Sequence, residues 1–185
     1  MTSISFHDLF IRSNLLFIPL LFAGICHLFV IHFDLFSFLK KPLNINLFGH
    51  NKTYRGIIII SFLSSLGVFF ISVMEKFLDP SLQVGLGKDP LLLGFLVGLF
   101  AMLFELPNSF LKRRLGAKSG EHPQTIKSFF YFFNQADSVI GCTLLYALFC
   151  DFDFSLLVFF FFYTSLMHLV VNLLFTLMKL RKNPF

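Results

Sequence analysis

Apolar residues gather in five long blocks, and polar residues collect in the segments between them. A helix needs roughly 20 residues to cross a bilayer. The blocks at 14–38, 56–74, 90–106, 129–150 and 154–178 therefore predict an all-α integral membrane protein with five transmembrane helices. The third block is short and ends on Glu105, and the fourth has a polar start. The segments 39–55 and 107–128 hold most of the Gly, Pro and charge and read as loops. The apolar run after Arg12 is too long for a cleaved signal peptide, and no A-x-A site closes it. No repeat or low-complexity linker divides the chain, so residues 1–185 are expected to form a single membrane domain.

Charge sets the expected orientation. Segment 39–55 carries Lys40, Lys41, Lys52 and Arg55 without an acid. Segment 107–128 carries Lys112, Arg113, Arg114, Lys118 and Lys127 against Glu121, and the C-terminal tail carries Lys179, Arg181 and Lys182. On the other side, Arg12, Lys76 and Lys88 are offset by Asp8, Asp79, Asp89, Asp151 and Asp153. Positively charged loops stay in the cytoplasm. The N-terminus is thus expected outside and the C-terminus in the cytoplasm, which five crossings satisfy.

Composition agrees. Of 185 residues, 56% are hydrophobic, 30 are Phe and only 14% are charged, and the mean hydropathy is +0.80. Soluble chains carry about 25% charged residues, so lipid is the natural solvent. A secreted disulfide scaffold, a disordered tail and an ordinary cytosolic enzyme are excluded. The net charge of +5 is too small and scattered for a nucleic-acid binder. Cys26, Cys142 and Cys150 sit in apolar runs without metal-ligand spacing and read as packing residues.

The polar groups inside the blocks narrow the chemistry. Gly94, Gly98, Ala101 and Glu105 share one helix face by their 4, 3, 4 spacing. The small residues read as a packing stripe. Glu105 is either an interfacial carboxylate or a functional one, because an ionisable group on a packing face is expensive. Pro107 cannot donate to the carbonyl of Leu103 and biases Leu106 away from helix, which predicts a break. Asn134, Asp137 and Gly141 share another face. His27, His32, His168 and Asn172 read as interhelical hydrogen-bonding groups. No H-E-x-x-H, G-x-S-x-G or Walker loop is present.

The predicted topology brings Lys52, Arg55, Glu105, Asp137 and the run Ser109 to Arg114 to the same membrane face. Two carboxylates can hold a divalent cation, and a ring of Lys and Arg can hold phosphates. The positive-inside bias accounts for the bases alone but gives no role to acids at their depth.

Three strings, and a shorter fourth, resemble a known family. Gly49-His50-Asn51-Lys52-Thr53-Tyr54-Arg55-Gly56 resembles the G-x-N-K-T-[WY]-R-G motif of the CDP-archaeol synthase family. Glu105-Leu106-Pro107-Asn108-Ser109-Phe110-Leu111-Lys112-Arg113-Arg114-Leu115-Gly116 resembles its second motif, with Glu105 where archaeal members tend to have Asp. Asn134-Gln135-Ala136-Asp137-Ser138-Val139-Ile140-Gly141 resembles D-Q-x-D-x-x-x-G, with Asn134 for the first Asp. Lys41-Pro42-Leu43-Asn44 resembles K-P-x-D. Pro107-Asn108 suggests a bacterial-type branch.

The resemblance implies a fold distantly related to CDP-diacylglycerol synthases and an Mg²⁺-dependent cytidylyltransferase of phospholipid biosynthesis. CTP and a lipid phosphate would be its substrates and membrane lipids its surroundings. The enzyme would sit in a bacterial or archaeal cell membrane with its site facing the cytoplasm. Lys52, Arg55, Lys112, Arg113 and Asp137 are the expected catalytic set. Asn51, Thr53, Asn108, Ser109 and Arg114 are expected to bind substrate, and Asp137, Glu105 and Asn134 to hold Mg²⁺. The neutral Asn134 motivates a second reading, a degenerate family member that binds headgroup or nucleotide without turnover. A small transporter fits poorly, since no inverted halves or midplane broken-helix pair is visible.

Overall fold

The computed structural model describes residues 5–87, 89–123, 127–150 and 153–178, with backbone alone at 127–128. Lys88, Asp151 and the tail charges Lys179, Arg181 and Lys182 lie outside the described residues, and so does the Lys127 side chain. The described residues hold six α-helices: α1 Phe6–His32, the single-turn α2 Ile45–Phe48, α3 Tyr54–Met74, α4 Pro90–Arg114, α5 Lys127–Phe149 and α6 Phe154–Leu177. Short 3₁₀ turns at Ser37–Leu39, Glu75–Phe77 and Pro80–Leu82 complete the regular structure. Among the described residues, α1, α3 with its 3₁₀ extension to Phe77, α4 and α6 are long and apolar enough to cross a membrane. The other long helix, α5, spans 23 residues and carries Asn134, Gln135 and Asp137 in its first half.

Helix α1 begins eight residues before the predicted span. Ser5 and Asp8 form a capping box there: Ser5 Oγ accepts from Asp8 N at 3.1 Å, and Asp8 accepts from Ser5 N at 3.3 Å. Two backbone donors at the helix start are thereby satisfied. The helix stops at His32, where the chain turns through left-handed Asp34 and Phe36.

The predicted break at Pro107 does not occur. Helix α4 passes through Pro107 and continues to Arg114. An internal Pro costs about 3 kcal/mol in a helix. Here Asn108 and Lys112, in the turns beyond it, are bonded to α5, and these ties hold the end of α4 in register. Lys112, Arg113 and Arg114 are accordingly in the last turn of a helix, not in a loop.

The long helices form a closed ring in the order α1, α3, α4, α5, α6 and back to α1, with α3–α4 the most extensive interface. Gly94 and Gly98 make that interface close, as the sequence stripe predicts. A Cβ on Gly94 would lie 2.6 Å from the Ser64 carbonyl oxygen, and one on Gly98 2.7 Å from Ser61 Cα. Gly141 does the same for α5 against α4, 2.6 Å from the Phe100 carbonyl oxygen. Inside the ring, Leu16, Val68, Val97, Leu145, Tyr146 and Phe160 are fully buried. Outward, rows of Phe, Leu and Ile on every long helix are exposed, including Phe29, Phe62, Phe70, Leu148 and Phe162. That is the arrangement expected where the surrounding solvent is apolar.

At one end of the ring lie Asp8, Glu75, Asp79, Asp89 and Asp153. Glu75 is buried and accepts from Val84 N at 3.0 Å and Leu86 N at 3.2 Å, which pins the 83–87 segment over the core. At the other end lie the start of α3, the end of α4 and the start of α5.

Candidate functional site

Three helices deliver polar side chains to that second end. The first comes through a backbone clasp. Thr53 pairs with Pro42 as an antiparallel bridge, Leu43 N donates to the Lys52 carbonyl at 2.9 Å, and Tyr54 N donates to the Lys41 carbonyl at 3.1 Å. The clasp places Lys52 immediately before α3. Thr53 caps that helix, its hydroxyl accepting from Gly56 N at 3.3 Å. Asn44 caps α2 by accepting from Leu47 N at 3.1 Å, a task Asp performs equally well, so the departure at this motif position keeps its local function. Gly49 turns the chain with φ +83°, and His50 N donates to Ser119 Oγ at 3.1 Å, tying the first motif to the segment after α4.

Lys52 forms an ion pair with Glu105 of α4, both side chains about four-fifths buried. One helical turn further along α4, Asn108 is 1% exposed. Its Nδ2 donates both to Asn134 Oδ1 at 2.7 Å and to Asp137 Oδ2 at 2.6 Å. Lys112, a turn beyond and also buried, donates to the same Asn134 Oδ1 and sits 5.6 Å from the centre of the Phe130 ring. Asp137, 5% exposed, also accepts from Ser138 N at 2.8 Å, and Glu105 and Lys52 lie within its electrostatic reach. Lys52, Glu105, Asn108, Lys112, Asn134 and Asp137 thus form one polar cluster between α3, α4 and α5.

The cluster offers only oxygen to a cation: the Asp137 and Glu105 carboxylates and the amide oxygens of Asn134 and Asn108. This is the donor chemistry of a hard divalent ion. Asn108 Oδ1 is buried and has no hydrogen-bond partner, an orphaned acceptor that a cation would satisfy. Among the described residues no group of three or more His, Cys, Asp and Glu gathers at one point. The acids here are two, and the remaining donors are amides.

The other expected residues are placed differently. Arg55, 5% exposed, turns to α1: it donates to Asp34 Oδ1 at 2.7 Å and to the Leu35 carbonyl at 3.2 Å. Lys40 also donates to Asp34 at 3.0 Å. The Lys40 and Arg55 hydrogen bonds hold the Asp34 carboxyl below its usual pKa. Arg113 points towards Gly49 and keeps a buried Nε with no hydrogen-bond partner. Arg114 is exposed and lies 5.0 Å over the Phe110 ring, away from the cluster. Asn51 is exposed beside Gly120, and Ser109 is half-buried in the turn between Glu105 and Lys112.

Sequence reasoning passed over Asp34 as a partner for Arg55, and its signal was present: it is an acid in an otherwise basic region. His27, read from the sequence as an interhelical hydrogen-bonding group, lies within electrostatic reach of Arg55 and Glu105. His168 and Asn172 are interhelical ties as expected. Asn172 donates to Gln135 Oε1 at 2.9 Å, and the His168 ring meets the Gln135 carbonyl at 3.3 Å. Gln135 thereby anchors α5 to α6, while Asn134 and Asp137 on the other face meet α4.

Comparison with known proteins points to the same family. Over 103 residues the chain is 32% identical to a CDP-archaeol synthase of Staphylothermus marinus, an alignment covering 54% of this chain and 47% of the relative. The chain spans about half the length of that curated relative. No solved structure matches it. Residues 37–185 match the family described as CarS-like, CDP-archaeol synthase, a stretch that takes in all three motifs and every member of the polar cluster. The chain belongs to the CDP-archaeol synthase family.

Proposed function

We propose that this protein transfers a cytidylyl group from CTP to a lipid phosphate, releasing pyrophosphate and giving a CDP-lipid for phospholipid synthesis. The observation that carries the reading is the convergence of the three family motifs on one buried cluster. All five long helices cross the membrane in this reading, α5 with its polar face turned inward. The whole chain acts as one membrane domain with its N-terminus outside. The basic end faces the cytoplasm, in keeping with the positive-inside rule, and the host membrane is the cell membrane.

In the reaction an oxygen of the lipid phosphate attacks the α-phosphorus of CTP. The new P–O bond forms as the bond to the β-phosphate breaks, and pyrophosphate leaves. The nucleophile needs little help with its proton, because the second pKa of a phosphate monoester is about 6. The obstacle is repulsion between two anions. Lys52 and Lys112 bring ammonium groups into a site shielded from water, where charge is worth most. Arg113 offers its unpartnered Nε–H to a phosphate oxygen. Arg55 holds the end of α1 against α3 through Asp34. Asp137 and Glu105, with the amide oxygen of Asn134, would hold Mg²⁺. When bound, that ion would neutralise phosphate charge and align attacking and leaving oxygens. The outward rows of apolar side chains let a lipid present its head at the cluster while its tails stay in the bilayer.

The test is transfer of radiolabel from [α-³²P]CTP into the organic phase, using purified protein, Mg²⁺ and lipid phosphates with ester-linked or ether-linked tails. Label should enter the lipid with at least one substrate. Lys112→Ala should lower the rate about ten- to a hundredfold, the worth of a charge-assisted phosphate contact. Nucleotide binding without transfer to any lipid phosphate overturns the assignment.

A further inference from the structure

The geometry points to Asn108 as a cation ligand in its own right: an amide that donates to Asn134 and Asp137 in the structure and turns its oxygen to a divalent ion when one binds. This rests on the proposed Mg²⁺ site, and it assigns to Asn108 a role that neither the motifs nor the family match supply.

The inference starts at Lys112. An ammonium has donors only, so its contact with Asn134 Oδ1 fixes which end of the Asn134 amide enters the cluster. The oxygen faces in, and its second lone pair accepts from Asn108 Nδ2. The same Nδ2 meets Asp137 Oδ2. An amide NH₂ group, partly positive, therefore sits between two oxygens, while the Asn108 oxygen is buried with no partner. That leaves one side of the Asn108 amide fully used and the other side wasted, at a position 1% exposed.

The two ends of an amide are nearly the same size. A half-turn of the Asn108 side chain would put Oδ1 where Nδ2 now lies, 2.7 Å from Asn134 Oδ1 and 2.6 Å from Asp137 Oδ2. Oxygens that close repel one another unless a cation lies among them. Neighbouring oxygens around octahedral Mg²⁺ are about 2.9 Å apart, as its bond length of roughly 2.0–2.1 Å requires. The observed spacings are within a few tenths of an ångström of that value. Asn134 keeps its Lys112 contact throughout, since a carbonyl oxygen has two lone pairs. One carboxylate and two neutral oxygens would then be offered to the ion, with Glu105 within electrostatic reach to add charge. The carboxylate missing at Asn134 is offset by the amide oxygen that Asn108 turns in.

Mn²⁺ is a suitable probe, and its free ion is read directly by electron paramagnetic resonance on full-length protein in detergent. If Asn108 is a ligand, Asn108→Ala should weaken Mn²⁺ binding by at least about 10- to 100-fold, the loss found even for groups that only orient ligands. If Asn108 is only a donor that occupies Asp137, the same change frees the carboxylate, and binding should stay equal or tighten. That outcome overturns the proposal alone. A wild-type protein that binds no Mn²⁺ overturns it together with the Mg²⁺ reading. A second measurement does not depend on the alanine variant folding. In Asn134→Asp protein labelled with ¹³C-asparagine, Asn108 is the asparagine left in the cluster. Pulsed resonance should then show a ¹³C coupling to bound Mn²⁺, and a spectrum without it overturns the assignment.

Discussion

Asp34 shows how much one exposed residue organises. It receives Lys40 and Arg55 and stands in a left-handed turn at the end of α1. Those hydrogen bonds favour its charged form, so its pKa is lower folded than unfolded. The stabilisation they give is complete above the unfolded value of about 3.9 and is lost as pH falls through the lower folded value. The difference in melting temperature between wild type and Asp34→Asn should be constant above about pH 5 and vanish in stronger acid. A difference that persists at the lowest pH where the protein stays folded would assign the effect to packing. Glu75 works at the opposite end, where its buried carboxylate serves two backbone N–H groups. A hydrogen bond to a charged group is worth roughly 1.5–3 kcal/mol. Glu75→Ala should therefore lower the melting temperature clearly and Glu75→Gln less, while equal melting of Glu75→Ala and wild type would mean the 83–87 segment is held otherwise.

Helix contacts are set by a few glycines, and they give a contrast within one protein. Gly98→Ala places a methyl 2.7–2.9 Å from atoms of Ile60, Ser61 and Ser64, two of them backbone. Forcing α3 and α4 apart should cost about 1–3 kcal/mol. Gly24→Ala meets nothing within 4 Å and should leave melting unchanged or slightly raised. Equal behaviour of the two variants would remove close approach as the basis of the α3–α4 interface. The helices were legible because a long apolar run is a strong one-dimensional signal. Their ends were less so: the first turns of α1 contain His7, Asp8 and Arg12, and the informative mark was Ser5 and Asp8 at capping-box spacing. Pro107 was misread because a local breaker is judged from the chain alone, whereas the bonds from Asn108 and Lys112 to α5 that override it join residues 22 to 29 apart. That Lys52 and Glu105 share one end followed from topology, since both fall at the same end of adjacent helices; that they pair did not. The partner of Arg55 did not, because Asp34 was assigned to the interior of a span that in fact ends at His32.

At the scale of the molecule, the charge asymmetry predicts which end faces the cytoplasm. In a background lacking Cys26, Cys142 and Cys150, Lys118→Cys should react with a membrane-impermeant thiol reagent only from the cytoplasmic side. Ser81→Cys, exposed near the Glu75 end, should react only from outside. Reaction of both from one side would sink the five-crossing topology and the cytoplasmic site with it. The ring order has a consequence for how the protein is made. The polar cluster draws on α3, α4 and α5, which emerge consecutively, and the most extensive interface joins the first two of these. Chains assemble from the N-terminus as they are synthesised. All six cluster residues are therefore present before α6 leaves the ribosome. The last helix closes the gap between α5 and α1 and fixes α5 through Gln135, so a nascent chain arrested before α6 should hold an assembled but unclamped site.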